Sequence, residues 1–144
     1  ELKRSLFAEK DMVEADPNKL RQVFLNLMIN AADAISSLDN DNNGQSAGRL
    51  EISTAIQLNS MPGTTANGSM LKIMFHDNGP GIPIENLPNI FDPFFTTKDP
   101  GKGTGLGLSV SFMIVESLGG KMTVESMPGE GTSMIIYLPL AAAA

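Results

Sequence analysis

Residues 70–83 read MLKIMFHDNGPGIP, in which a strand-like pattern runs directly into a loop of glycine and proline. Apolar residues alternate along the first half, so they share one face of the predicted strand with Asp77. A carboxylate on an apolar face needs hydrogen-bond donors, because burial without partners strongly disfavours its charged form. The residues Pro80–Pro83 cannot form a returning strand. We therefore predict a functional loop after Asp77, with a simple turn that exposes Asp77 to water as the alternative.

Helices and strands interleave on both sides of this stretch. Asp16 followed by Pro17 is a typical helix start, and apolar residues then recur with the 3.6-residue helical period. The predicted elements are, in chain order, a helix over Pro17–Ser37, strands over Leu50–Leu58 and Met70–Asp77, a helical turn at Glu85–Ile90, a helix over Leu108–Leu118, and strands over Lys121–Met127 and Ser133–Leu140. The predicted loops are Leu38–Gly48, Asn59–Ser69 and Pro128–Thr132. This order predicts an α/β fold, a two-layer sandwich whose mixed sheet carries its helices on one face.

Composition limits the classes of protein and of site. The chain has 144 residues, the size of one domain, and we assign residues 1–140 to that domain and 141–144 to a tail. The net charge of −6 argues against nucleic acid as a partner. The absence of cysteine from the sequence excludes disulfides, thiol nucleophiles and thiolate metal sites. The sequence contains neither a membrane-spanning apolar run nor a signal peptide, so we expect a cytoplasmic domain.

Three polar side chains form a stripe along the first predicted helix. Asn26, Asn30 and Asp33 are spaced four and three residues apart, which places them on one side of the helix. The amide oxygen of Asn30 is a suitable ligand for a magnesium ion that keeps most of its waters and binds substrate phosphates. A solvated polar helix face explains the same spacing equally well.

Glycine recurs at every second position from Gly101 to Gly107, directly before the second predicted helix. Glycine lets backbone N–H groups approach an anion, and the helix N-terminus adds a favourable dipole. This pattern favours phosphate binding, with a ligand-free hinge as the alternative. The spacing is neither that of a Walker A loop nor that of a dinucleotide-binding fold. His76, the only histidine, lies on the strand face opposite Asp77, and we assign it no catalytic role.

Together these motifs resemble the catalytic, ATP-binding (HATPase_c) domain of two-component sensor histidine kinases, within the superfamily shared with DNA gyrase, Hsp90 and MutL. The matching segments are residues 16–31 for the asparagine box, Asp77–Ile82 for the first glycine box, Phe91–Lys98 for the phenylalanine box, Gly103–Leu108 for the second glycine box, and Gly129–Thr132 for the last glycine motif. The phenylalanine box resembles that of the nitrogen-sensor branch. The resemblance covers nearly the whole chain and implies the Bergerat ATP-binding fold, a two-layer α/β sandwich.

The resemblance implies a role for each matching residue, with ATP and Mg2+ as the cofactors. The residues implied to bind them are Asn30, Asp77, Gly79, Gly81, Ile82, Lys98, Gly103, Thr104, Gly105, Leu106, Gly107 and Thr132. Asn30 would bind the Mg2+, and Asp77 would accept a hydrogen bond from the exocyclic amine of adenine. Thr132 would support the base through water or its hydroxyl, and Lys98 or Lys102 would neutralise phosphate charge. Backbone amides of the glycine-rich run would hold the triphosphate.

The resemblance also implies a mobile lid over residues 89–104, anchored by burial of Phe94 and Phe95. Asp33 stands where many other branches of the family carry a basic residue. The implied partners are a histidine-bearing dimerisation domain of the same kinase and a cognate response regulator. We expect the isolated domain to be a monomer that cannot phosphorylate itself, from a parent kinase that is either free or anchored to a membrane.

Asn26 bears on the type of reaction. ATP-hydrolysing members of the superfamily carry Glu four residues before the magnesium-binding Asn, whereas this sequence has an amide there, which is not a base. Transfer of the γ-phosphate to a histidine is therefore favoured, with Asn26, Asn30 and Lys98 as the candidate catalytic residues. The alternatives are an ATP-hydrolysing domain of the same fold and a nucleotide-sensing module without catalysis.

Overall fold

The computed structural model describes residues 1–6, 8, 12–39, 47–58 and 68–141. In chain order its elements are β1 (Leu2–Leu6), α1 (Pro17–Asp39), β2 (Leu50–Gln57), β3 (Met70–Asp77), a 3₁₀ helix (Ile84–Asn89), α2 (Gly107–Ser117), β4 (Lys121–Met127) and β5 (Gly131–Pro139). The strands form one mixed sheet in the order β1-β2-β3-β5-β4. β1 is parallel to β2, and the other neighbouring strands are antiparallel. The predicted α/β fold with a mixed sheet is confirmed.

The main core lies between the two helices and one face of the sheet. Its buried members are Val23 and Leu27 from α1, Leu71, Ile73 and Phe75 from β3, Val115 from α2, Met122 from β4, and Met134, Ile136 and Leu138 from β5. The members from β3 and β5 occupy alternating positions, as the period-two pattern predicts. A smaller cluster of Met70, Ile135 and Tyr137 lies on the opposite face and, among the described residues, includes none from a helix. Both helices therefore pack on one face, which gives the predicted two layers.

α1 begins where the sequence predicts. The side-chain Oδ1 of Asp16 accepts a hydrogen bond from the backbone N–H of Asn18 at 2.8 Å, which satisfies one of the free donors at the helix N-terminus. The backbone carbonyl of Asp16 accepts the first helical bond, from the N–H of Leu20 at 3.1 Å. The apolar stripe of α1 then packs on the sheet, with Val23 and Leu27 fully buried. This packing turns the stripe that carries Asn30 toward the ends of β3 and β5.

Several boundaries differ from the predictions. β1 was not predicted, because its side chains are mostly exposed and its strand character comes from parallel pairing with β2. α1 continues to Asp39, and β5 begins at Gly131 rather than Ser133, so Thr132 lies in the strand directly opposite Asp77. The predicted loops at residues 40–46 and 59–67 and the tail at residues 142–144 lie outside the described residues. Within the described part of the chain, no helix combines the length and apolar character needed to cross a membrane.

Candidate functional site

A cavity of about 550 Å³ lies between α1, the adjoining ends of β3 and β5, and the loop that leads into α2. The predicted site residues that line it are Asn26, Asn30, Asp77, Gly81, Ile82, Lys98, Gly103, Thr104, Gly105, Gly107 and Thr132. Gly79 is absent from the lining but contacts Asp77. Leu106 is also absent from it and is partly exposed. Motifs far apart in the sequence therefore converge on one cavity.

Asp77 is a buried carboxylate in the wall of this cavity, with 5% of its surface exposed. It is the last residue of β3, and its Oδ1 accepts a hydrogen bond from the backbone N–H of Gly79 at 2.9 Å. Burial raises the pKa of Asp77 above its ordinary value. Hydrogen bonds from the backbone of Gly79 and Thr132 and the charge of His76 act in the opposite direction on this pKa. The alternative in which a turn releases Asp77 to water is excluded.

The loop after Asp77 has a fixed course, because the hairpin of β4 and β5 holds it. Gly81 has a φ of +78°, and a Cβ atom there would collide with the carbonyl oxygen of Met127. Only glycine meets both conditions. One residue further, the backbone N–H of Ile82 donates to the hydroxyl of Ser126 at 2.8 Å. The loop therefore forms a rigid wall beside Asp77.

Asn26 and Asn30 both line the cavity, but their amides are engaged differently. Nδ2 of Asn26 donates to the carbonyl of Gly107 at 3.3 Å and to the hydroxyl of Ser111 at 3.2 Å. A carbonyl can only accept, so this contact fixes the orientation of the Asn26 amide. The side chain of Asn30 makes no hydrogen bond to any residue that the structure describes. Asn26 thus ties α1 to α2, and Asn30 keeps its amide free for a ligand.

Asp33, the third residue of the stripe, is paired with the loop that precedes α2. Nζ of Lys98 lies 2.5 Å from Oδ2 of Asp33, and the two side chains are 37% and 50% exposed. The stem of Lys98 rests on Gly103, where a Cβ atom would come within 2.9 Å of Cδ. Both members of the pair line the cavity. The ion pair therefore joins α1 to the loop at the partly exposed rim of the cavity.

The anchoring of this loop differs from the prediction for Phe94. Phe94 is 74% exposed, so the prediction that burial of its ring anchors the loop is wrong. The anchor at this residue is its backbone, whose N–H donates to the carbonyl of Gly105 at 2.8 Å. The ring that packs inward is Phe91, with its centroid 5.0 Å from that of Phe112 on α2. Phe95 is half-buried and lines the cavity.

The oxygen ligands of the cavity fit a metal ion that arrives together with phosphate. No group of three or more His, Cys, Asp and Glu side chains among the described residues could hold a metal ion. Within the described part of the chain, the amide oxygen of Asn30 has no hydrogen-bond partner and can act as a ligand. Mg2+ typically keeps several waters and binds one or two protein oxygens together with substrate phosphates. Asn30 therefore suits Mg2+ bound with a polyphosphate.

Sequence reasoning missed several polar residues that shape the site. Ser126 bonds to the loop after Asp77, and Ser111, which is fully buried, receives the Asn26 hydrogen bond. Oδ1 of Asn78 accepts a hydrogen bond from the backbone N–H of Arg49 at 2.7 Å. Each of these partners is distant in sequence, so periodicity carries no signal for them. The Asn-Gly dipeptide after Asp77 indicated only a turn.

The chain matches a family model described as "Histidine kinase-, DNA gyrase B-, and HSP90-like ATPase" over residues 15–142. It is similar to the two-component sensor PprA of Pseudomonas aeruginosa, with 41% identity over 136 residues, which is 94% of this chain and 13% of PprA. It is also similar to the sensor histidine kinase ZraS of Escherichia coli K12, with 38% identity over 128 residues, covering 89% of this chain and 23% of ZraS. The sensory histidine kinase/phosphatase NtrB of Rhizobium leguminosarum is 38% identical over 129 residues, covering 86% of this chain and 31% of NtrB. The chain thus spans less than a third of the length of these relatives.

Solved structures share the fold, and they include those of ShkA and ThkA. The full-length ShkA structure in complex with AMPPNP matches with a TM-score of 0.73 and 24% identity, over 100% of this chain and 26% of that one. The nucleotide-free catalytic domain of the histidine kinase ThkA matches with a TM-score of 0.66 and 31% identity, over 96% of this chain and 78% of that one. Both likenesses agree with the α/β architecture described above.

Proposed function

Since the chain belongs to the family of histidine kinase-, DNA gyrase B- and HSP90-like ATPases, as an ATPase domain of the histidine kinase type, we propose that it binds Mg-ATP and donates the γ-phosphate to a histidine on a separate dimerisation domain. One observation supports this most strongly. A buried carboxylate, an uncommitted amide and a glycine-rich backbone line the same cavity. These groups are complementary to a base with an amine, a metal ion and a polyphosphate, respectively.

Asp77 supplies the contact to adenine in this proposal. In its charged form the carboxylate only accepts hydrogen bonds, and the exocyclic amine of adenine only donates them. A buried carboxylate gains more from such a bond than an exposed one, because water does not compete for it. Gly81 and Ile82, in the rigid loop, form the wall against which the base packs. Thr132 lies opposite Asp77 across the strand pair and completes this end of the cavity.

The phosphates are negatively charged and need hydrogen-bond donors and positive charge. The loop before α2 supplies both. Backbone N–H groups from Gly103 to Gly107 and the N-terminus of α2 favour an anion. Lys98 adds a positive charge from the same loop. Asn30 would hold the Mg2+, and the ion would supply positive charge that offsets the negative charge of the phosphates. In this proposal these groups together would hold the polyphosphate at this end of the cavity.

Transfer to an imidazole does not require this chain to supply a base, whereas hydrolysis requires a base that activates water. A ring nitrogen of the acceptor histidine forms a bond to the γ-phosphorus while the bond to the oxygen that bridges the β and γ phosphorus atoms breaks. ADP leaves with that electron pair, and the imidazole loses its ring proton to solvent or to its own domain. Activation of water would need a base near the phosphates, but Asn26 is an amide bonded to α2. Among the described lining residues the carboxylates are Asp33, paired with Lys98, and Asp77, which is buried.

The partners and location follow from the same proposal. The relatives PprA, ZraS and NtrB are sensors of two-component or histidine kinase type. We extend this to a histidine-bearing dimerisation domain and a cognate response regulator as partners of this chain. A cytoplasmic location is proposed for the domain, where ATP is available.

Phosphotransfer to a supplied acceptor tests the proposal. The purified chain is mixed with Mg2+, ATP labelled in its γ-phosphate, and the histidine-bearing dimerisation domain of a related sensor kinase. Label should appear on that domain in a bond that is stable to alkali and lost in acid, as a phosphorus–nitrogen bond is. Asn30→Ala should abolish the transfer. Steady release of phosphate without labelled acceptor would indicate an ATP-hydrolysing domain, and tight ATP binding with neither outcome would indicate a nucleotide sensor.

A further inference from the structure

The hydroxyl of Ser126 joins three parts of the site. Its oxygen accepts a hydrogen bond from the backbone N–H of Ile82 at 2.8 Å. It donates to the backbone carbonyl of Gly131 at 3.0 Å. It also lies 2.9 Å from the hydroxyl oxygen of Thr132. Ser126 therefore connects the loop after Asp77 to the start of β5.

The direction of the bond between Ser126 and Thr132 follows from counting protons. A serine hydroxyl has one proton and two lone pairs. The N–H of Ile82 can only donate, and the carbonyl of Gly131 can only accept, so the proton of Ser126 lies on the bond to Gly131. The remaining contact is then completed by the proton of Thr132, which donates to Ser126. The hydroxyl oxygen of Thr132 is left with its lone pairs for any further partner.

With this orientation, the two side chains at one end of the cavity both act as hydrogen-bond acceptors. Thr132 lines the cavity, is 8% exposed, and pairs with Asp77 across β3 and β5. A charged carboxylate and a hydroxyl whose proton is engaged elsewhere both accept hydrogen bonds and donate none. A single ligand group that contacts both of them must donate two hydrogen bonds, as an exocyclic amine can and a carbonyl oxygen cannot.

We propose that Ser126 is a positioning residue that fixes the Thr132 hydroxyl as an acceptor and thereby selects an amino-bearing purine edge over a carbonyl-bearing one. The inference rests on the proposed function, since it concerns the base of the nucleotide. Adenine presents an amine at C6, and guanine presents a carbonyl oxygen at the same position. The guanine oxygen would face two acceptors without a proton between them, which leaves buried polar groups unpaired.

Loss of the Ser126 hydroxyl should weaken this selection. In Ser126→Ala the Thr132 hydroxyl has no acceptor for its proton at that position, so it can rotate and donate into the cavity. The ratio of the Kd for GTP to the Kd for ATP should fall by about tenfold, which is the factor that corresponds to one hydrogen bond of ordinary strength. A general loosening of the site would instead raise both Kd values together and leave the ratio unchanged.

Equilibrium titration of ATP and GTP against wild type, Ser126→Ala and Thr132→Val tests the inference. Ser133→Ala is the matched control, because Ser133 is the next residue of β5 and its hydroxyl bonds to Nδ1 of His76 at 2.8 Å, on the face away from the cavity. Ser126→Ala and Thr132→Val should both lower the ratio of the Kd for GTP to the Kd for ATP, and Ser133→Ala should leave it unchanged. Thr132→Val decides the matter if Ser126→Ala fails to fold. Wild type that binds neither nucleotide overturns the proposed function itself, whereas tight ATP binding with the wild-type ratio retained in both variants overturns only this inference.

Discussion

Replacing Asp33 by alanine should strengthen the binding of ATP. In the structure Lys98, the proposed phosphate-binding lysine, is paired with Asp33 at the rim of the cavity, with 2.5 Å between Nζ and Oδ2. A phosphate that is to engage the ammonium group must displace this carboxylate. The change Asp33→Ala removes the competitor and leaves Lys98 in place.

The magnitude follows from the exposure of the pair. Both side chains are more than a third exposed, so water screens their attraction and they behave as a surface ion pair. Such pairs contribute about 0.2–1 kcal/mol. If that amount no longer opposes the phosphate, the Kd for ATP should fall by up to about fivefold. The gain should shrink at high salt, because exposed charges are screened.

Isothermal titration of ATP at fixed Mg2+ measures the effect, and a second mutation separates its causes. In a Lys98→Ala background, Asp33→Ala should leave the affinity unchanged, because no ammonium group remains to be freed. Glu85→Ala is the control for net charge, because Glu85 is exposed and is not among the residues that line the cavity. Weaker ATP binding in Asp33→Ala, or an equal gain with Lys98 absent, would refute the competition between Asp33 and phosphate.

Burial raises the pKa of Asp77, so acidification should weaken ATP binding at a higher pH than it would if this aspartate were exposed. The folded state then binds the Asp77 proton more tightly than the unfolded state does, so the contribution of Asp77 to the free energy of unfolding should increase as the pH falls. Titrations and thermal unfolding at roughly pH 4 to 7 check both signs, and Asp77→Asn should lack both dependences. In Gly105→Ala, strain at a φ of +68° and collision with the backbone of Phe94 should break the bond between these residues, so exchange of the Phe94 amide hydrogen should accelerate. Leu27→Ala, at a position 1% exposed, should lower the free energy of unfolding in urea by about 2–5 kcal/mol. Leu25→Ala, at a position 51% exposed on the same helix, should change it by no more than about 0.5 kcal/mol.

Features governed by short-range rules could be predicted from the sequence. Alternation along β3 predicted which face of the strand is buried and therefore that Asp77 needs donors, and the structure supplies one from Gly79. The cap at Asp16 and the apolar period predicted the start and the buried face of α1. These signals lie within a few residues of the feature that they predict, which is why they could be found without a structure.

Features that depend on contacts between distant segments could not be predicted in the same way. β1 has no apolar alternation and is a strand only because β2 pairs with it. The ring of Phe94 points to solvent because its anchor is a backbone bond to Gly105, and nothing in the local pattern encodes that bond. The role of Ser126 depends on a hairpin that brings it beside Ile82, 44 positions away.

The stripe on α1 links this helix to two of the elements that surround the cavity. Asn26 is hydrogen-bonded to α2, the helix that follows the glycine-rich loop, and Asp33 forms an ion pair with Lys98 in the loop itself. Asn30 lies between them and makes no side-chain hydrogen bond to a described residue, and the three side chains span about 10 Å along the axis. A small roll or tilt of α1 would therefore displace Asn30, the loop before α2 and α2 itself together, while the sheet kept its position.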